Sequence, residues 1–157
     1  MTPVWLLHGM FHDELDLTVS YVSGGQTITS ESIIEFASIW DPQPFHVDIP
    51  AAEQSLFGGL VASGLQSLLV TYRLYYQLGL LHGTVLAGLG MQDVKFLAPL
   101  RAGDTVHVIV TAESSSQTSR PDRGVVTWAI ILQNQNNVEL LSLKLSALVA
   151  RQISGQA

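Results

Sequence analysis

From Ser63 to Leu78 the apolar residues fall at helical spacing: Leu65, Leu68, Leu69, Tyr72 and Tyr76 mark one face, and Val70, Leu74 and Leu78 fill another. A helix that is apolar on most sides is expected at the centre of a domain, enclosed by other elements. Gly79 and Gly83 end it. Downstream the pattern becomes one of alternation, and four strands are predicted: Val85 to Phe96, bent near Gly88 or Gly90; Thr105 to Ser114; Gly124 to Gln133; and Leu140 to Arg151. The connections carry turn residues, namely Arg101-Ala102-Gly103-Asp104, Pro121-Asp122-Arg123-Gly124 and Asn134-Gln135-Asn136-Asn137. Long strands joined by tight turns predict a largely antiparallel sheet.

Upstream, Gln26 to Thr29 reads as a short strand end, and Thr29 or Ser30 is suited to cap a helix over Glu31 to Ile39. Ile33, Ile34, Phe36, Ala37 and Trp40 give that helix its apolar face, and it delivers Asp41 at its carboxyl end. A shorter helix is predicted over Ala51 to Leu56, stopped by Gly58-Gly59, with Asp48 as its cap. Between the two helices, Pro42 and Pro44 argue against helix and set Asp41 and His46 together on a stiff loop. One buried helix followed by a meandering antiparallel sheet predicts a two-layer α+β domain in which the sheet curls around the helix. The edge strands of such a sheet invite a second copy.

Composition narrows the partners. At 157 residues the chain has the length of one domain, residues 1–157, with residues 1–16 expected at its periphery. Apolar residues make up 47% and charged ones only 13%, so some surface is expected to be covered by self-association. The net charge of -6, with seven scattered basic residues, lacks the electrostatic footprint of a nucleic-acid binder. Absence of cysteine excludes disulfides and thiolate metal sites and fits a reducing compartment. Met1 to Asp16 has no basic region and only the apolar patch Val4 to Leu7, so it does not read as a signal peptide, and a cytoplasmic location is expected. Leu56 to Leu81 carries one formal charge, Arg73, yet Gly58, Gly59, Ser63, Gly64, Gln66, Ser67, Thr71 and Gln77 make it too polar to span a membrane.

The run Asp41-Pro42-Gln43-Pro44-Phe45-His46-Val47-Asp48, preceded by Phe36-Ala37 and followed by Ala51-Ala52 and Phe57-Gly58-Gly59-Leu60-Val61-Ala62-Ser63-Gly64, resembles the MaoC-like dehydratases, which include the (R)-specific enoyl-CoA hydratases. Val94 to Asp104 and Ser119 to Gly124 resemble further elements of that family, so the likeness extends from about Gln26 to Arg151. It implies a hotdog fold, a curved antiparallel sheet wrapped around a long helix, paired as a homodimer. It also implies reversible hydration of a trans-2-enoyl thioester, on coenzyme A or acyl carrier protein, to a (R)-3-hydroxyacyl product.

Such a reaction needs a base to sharpen water, a proton for the α-carbon and a donor for the enolate oxygen. By the family's pattern Asp41 and His46 share the base and acid work, and the backbone N–H of Gly64, where the central helix begins, holds the oxygen. Gln43, Pro44, Phe57, Gly59 and Ser63 are then expected around the substrate. Gln43 stands where Asn is frequent in the family, and Ser63 where a His often precedes the glycine. His8, His12, His82 and His107 have no ligand-like spacing, so neither a metal nor another cofactor is expected. Lys95, Arg101, Arg120 and Arg123 are candidates to meet phosphates of coenzyme A, but dispersed basic residues are usually just solvated, and none is assigned that role. Two rival readings stand beside hydration: a hotdog thioesterase, separable by thiol release, and a noncatalytic acyl-thioester-binding module.

Overall fold

A computed structural model describes residues 9–152, so the Val4 to Leu7 patch and His8 lie outside the described residues. The first elements are a 3-10 turn at His12–Glu14 and two short strands, β1 (Ser20–Val22) and β2 (Gln26–Thr27). Next come α1 (Ser30–Trp40), α2 (Pro44–Val47), α3 (Ile49–Glu53) and α4 (Gly64–Gln77). Four long strands complete the chain: β3 (Val85–Phe96), β4 (Thr105–Gln117), β5 (Arg123–Gln133) and β6 (Glu139–Ala150).

Strand alternation makes the inner face of the sheet. Val106, Val108, Val110 and Ala112 of β4, Val126, Trp128, Ile130 and Leu132 of β5, and Leu141, Leu143, Leu145, Ala147 and Val149 of β6 are all buried. These side chains recur every second residue, which sets them on one face against α4. The sheet order is β1-β4-β5-β6-β3, and every pairing is antiparallel. A meander is therefore present in β4, β5 and β6, but β3 lies beyond β6 instead of beside β4. The reason is the exit from β3: Leu97 to Arg101 runs along the segment before α4, held by Ala62 N–H to Leu100 O at 2.8 Å and by a bridge between Val61 and Arg101. The bend expected at Gly88 or Gly90 is there, as a register shift between those two residues.

Central helix α4 packs over β4, β5 and β6, and a sheet wrapped around one long helix in this way is the hotdog fold, of the α+β class. Its buried face differs from the expected one. Gln66, Ser67, Val70, Thr71, Leu74 and Tyr75 are buried, whereas Leu65, Leu69, Tyr72 and Tyr76 are exposed. Ser67 and Thr71 can be buried because their hydroxyls donate to the carbonyls one turn back, Ser63 O and Ser67 O. The Leu65, Leu69, Tyr72 and Tyr76 row thus faces away from the chain's own sheet, while Val70 and Leu74 of the second predicted face are buried. Gly79 and Gly83, both at positive φ, terminate the helical segment as anticipated. No helix among the described residues is long and apolar enough to cross a membrane.

Candidate active site

Two helix ends and one helical turn assemble the polar group. Thr29 caps α1 by accepting the N–H of Ser32, and the helix stops at Asp41, whose N–H bonds Ala37 O. The following segment is not the loop that its prolines suggested. Pro44 occupies the first position of α2, where the missing N–H costs nothing and the fixed φ favours a turn of helix. That single turn brings His46 back beneath Asp41. Asp48 then caps α3 by accepting Ala51 N–H at 2.9 Å, the role expected of it.

Asp41 Oδ2 and His46 Nε2 lie 3.4 Å apart. His46 is buried and its Nδ1 lies 2.6 Å from Val61 O. A carbonyl can only accept, so Nδ1 carries the hydrogen, and in the neutral form of the ring Nε2 is the bare nitrogen that faces Asp41. Ser63 Oγ donates to the same Asp41 Oδ2 at 2.6 Å, a short charge-assisted contact from a residue with no exposure. Ser63 also caps α4 by accepting Leu65 N–H. One buried hydroxyl therefore ties the start of α4 to the end of α1.

Gly64 is the first residue of α4, and its N–H meets no acceptor among the described residues. A side chain there would begin 2.8 Å from the Phe96 ring, so glycine is required for Phe96 to lie across the helix start. His46 and Gly64 line a cleft of about 410 Å³ together with Phe45, Phe57, Phe96 and Leu100. The walls are largely aromatic and aliphatic. In such surroundings a carboxylate, an imidazole and a free helix-terminal N–H interact more strongly than in water.

The structure thus brings Asp41, His46, Ser63 and Gly64 together and places Phe57 on the cleft wall. Ser63 is behind Asp41, with no exposure, and so is not on the cleft surface where a substrate contact was expected. Gln43 and Pro44 are exposed and shape α2 through the backbone, Gln43 O accepting His46 N–H at 2.8 Å. Gly59 is half-buried beside Arg101. Sequence reasoning missed Val61, whose carbonyl sets the His46 tautomer, and Phe96, which covers Gly64. Neither carries a chemical signal, since one acts through its backbone and the other is an apolar residue of an alternating strand.

Residues 18–134 match the family described as MaoC like domain. An uncharacterized protein of Bacillus subtilis, YdeM, is 29% identical over 139 residues, which cover 88% of this chain and 98% of that protein. The crystal structure of a MaoC-like dehydratase from Rhodospirillum rubrum shares 32% identity and a TM-score of 0.83, covering 92% of this chain and 99% of that one. The R-hydratase PhaJ1 from Pseudomonas aeruginosa, 20% identical with a TM-score of 0.74 over 93% of this chain and 88% of its own, has the same fold.

Proposed function

This chain belongs to the MaoC-like domain family, and from that premise we propose that it is a hydratase or dehydratase acting on trans-2-enoyl thioesters. The observation that carries the reading is the 3.4 Å approach of Asp41 Oδ2 to His46 Nε2, beside a cleft that also holds the free N–H of Gly64. With Nδ1 committed to Val61, both facing atoms are acceptors when the ring is neutral. What satisfies them together is a donor with two hydrogens, and water donating one O–H to each keeps a lone pair free for attack.

In the hydration direction the water oxygen bonds to the β-carbon while Asp41 and His46 take one of its protons. The double-bond electrons move toward the thioester carbonyl, whose oxygen gains negative charge against Gly64 N–H at the positive end of α4. The dyad then returns a proton to the α-carbon. One water has been added, and the enzyme regains its starting state. Dehydration is the same path reversed, and no redox step occurs in either direction.

The substrate is proposed to be an acyl thioester of coenzyme A or acyl carrier protein, and the active form a homodimer. Two features support a second copy. Edge strand β3 is exposed over all twelve residues, and its start shares a groove with Tyr72 and Tyr76 of α4. The apolar row of α4 left bare by the sheet is therefore continuous with an unpaired strand edge.

The test is to incubate purified protein with crotonyl-CoA. Loss of the enoyl chromophore with formation of (R)-3-hydroxybutyryl-CoA is expected. Release of free coenzyme A without hydration would instead assign a thioesterase.

A further inference from the structure

Of the four scattered cations Lys95, Arg101, Arg120 and Arg123, the fold selects one. Arg120 and Arg123 sit at the β4–β5 turn, the far end of a thirteen-residue strand from the Arg101-to-Asp104 turn, roughly 40 Å away at strand rise. Arg123 is also paired with Asp122. Lys95 precedes Phe96 on β3, so its side chain leaves the opposite face from the ring that covers Gly64. Arg101 directly follows Leu100, a residue of the cleft wall.

The Arg101 guanidinium is held in place without being neutralised. Its Nη2 donates to Phe57 O at 2.8 Å, and Phe57 is itself on the cleft wall. Among the described residues it has no carboxylate within ion-pair distance, because Asp104 is turned to the backbone N–H of Arg101 and to Gln135. Nη1 lies 3.5 Å from the point where a Gly59 side chain would begin, so the fork rests against bare backbone. Gly58 holds φ at 64°, a turn that glycine adopts without strain, and the Gly59 N–H that follows has no acceptor among the described residues. A fixed guanidinium fork with an adjoining free N–H is a donor set suited to phosphate oxygens.

We propose that Arg101 and the Gly59 backbone form a phosphate-recognition subsite at the mouth of the cleft, taking a phosphate of the substrate's carrier arm. The proposal rests on the thioester reading above. Coenzyme A and the prosthetic arm of acyl carrier protein both present phosphate, so the shared chemistry is a phosphate ester tethered to the thioester.

The experiment compares kcat/KM for crotonyl-CoA, crotonyl-phosphopantetheine and phosphate-free crotonyl-N-acetylcysteamine in wild type and Arg101→Gln. The ratio of crotonyl-CoA to the phosphate-free substrate is expected to fall about tenfold or more in the variant, and to recover partly in Arg101→Lys. General damage to the Phe57 loop lowers both values and leaves the ratio unmoved, which would overturn the assignment. If crotonyl-phosphopantetheine loses as much as crotonyl-CoA, the contact is to the arm's own phosphate; if only crotonyl-CoA loses, it is to the nucleotide. Both outcomes support the subsite. Should wild type turn over none of these thioesters, the hydratase reading fails separately, and calorimetry with free coenzyme A still decides this one. About tenfold weaker binding by Arg101→Gln supports the subsite, and equal binding or none by wild type overturns it.

Discussion

At the scale of single residues, Ser63 changes the picture of the site most. Its hydroxyl donates to Asp41 Oδ2 while accepting Leu65 N–H, so it orients the carboxylate toward His46 from behind. Fully buried behind Asp41, it is placed to act as a positioning residue. Ser63→Ala is expected to lower kcat about tenfold with KM nearly constant, since the loss falls on orientation of the reacting group. A rise in KM with unchanged kcat would return Ser63 to the cleft wall. The Asp41 and His46 pair was legible in the sequence because two ionisable residues five positions apart, among prolines, carry chemistry in their identities. Its support was less so: the Val61 carbonyl that fixes the His46 tautomer is a backbone atom fifteen residues away and could belong to any side chain.

At the scale of elements, all four long strands and the central helix were legible from periodicity, and their ends fall within a few residues of expectation. Two features escaped. Pro44 opens a turn of helix because proline obstructs a helix interior, not its first position. Of the two apolar faces predicted on α4, the sheet covers Val70 and Leu74 and leaves Leu65, Leu69, Tyr72 and Tyr76 exposed, since periodicity reports where apolar residues lie and not what covers them. Tyr75 on the buried row gives a pH prediction. Burial, and then the neighbouring Tyr72, push its phenol far above the ordinary range. An unfolded phenol titrates near pH 10, so the stability Tyr75 contributes is full below about pH 10 and is lost as pH rises toward the folded value. The urea midpoint is expected to fall above about pH 10 and to fall less in Tyr75→Phe. Equal slopes for the two proteins would show that the phenol ionises freely in the fold.

At the scale of the whole molecule, the bare row of α4 and the exposed edge of β3 belong together. A chain with only 13% charged residues leaves Leu65, Leu69, Tyr72, Leu86 and Leu89 exposed, and burial in a pair resolves that conflict. Light scattering is expected to report twice the mass of the chain, and Leu89→Lys on β3 to shift it toward one chain. A wild-type monomer at micromolar concentration would separate the hotdog fold from pairing in this protein. The shortage of charge predicted a covered face without its position; the structure shows which apolar residues are exposed, the Leu65, Leu69, Tyr72 and Tyr76 row of α4 and the β3 edge.

We propose that Asp41 and His46 act on one water next to an enoyl thioester. The most direct test of this claim is the crotonyl-CoA hydration rate of Asp41→Asn against wild type, with circular dichroism showing both folded. Asn keeps the shape of Asp41 and can still accept from Ser63, but it cannot take a proton. Loss of about a hundredfold to ten-thousandfold in kcat is predicted. Hydration by the folded variant at the wild-type rate would contradict the claim.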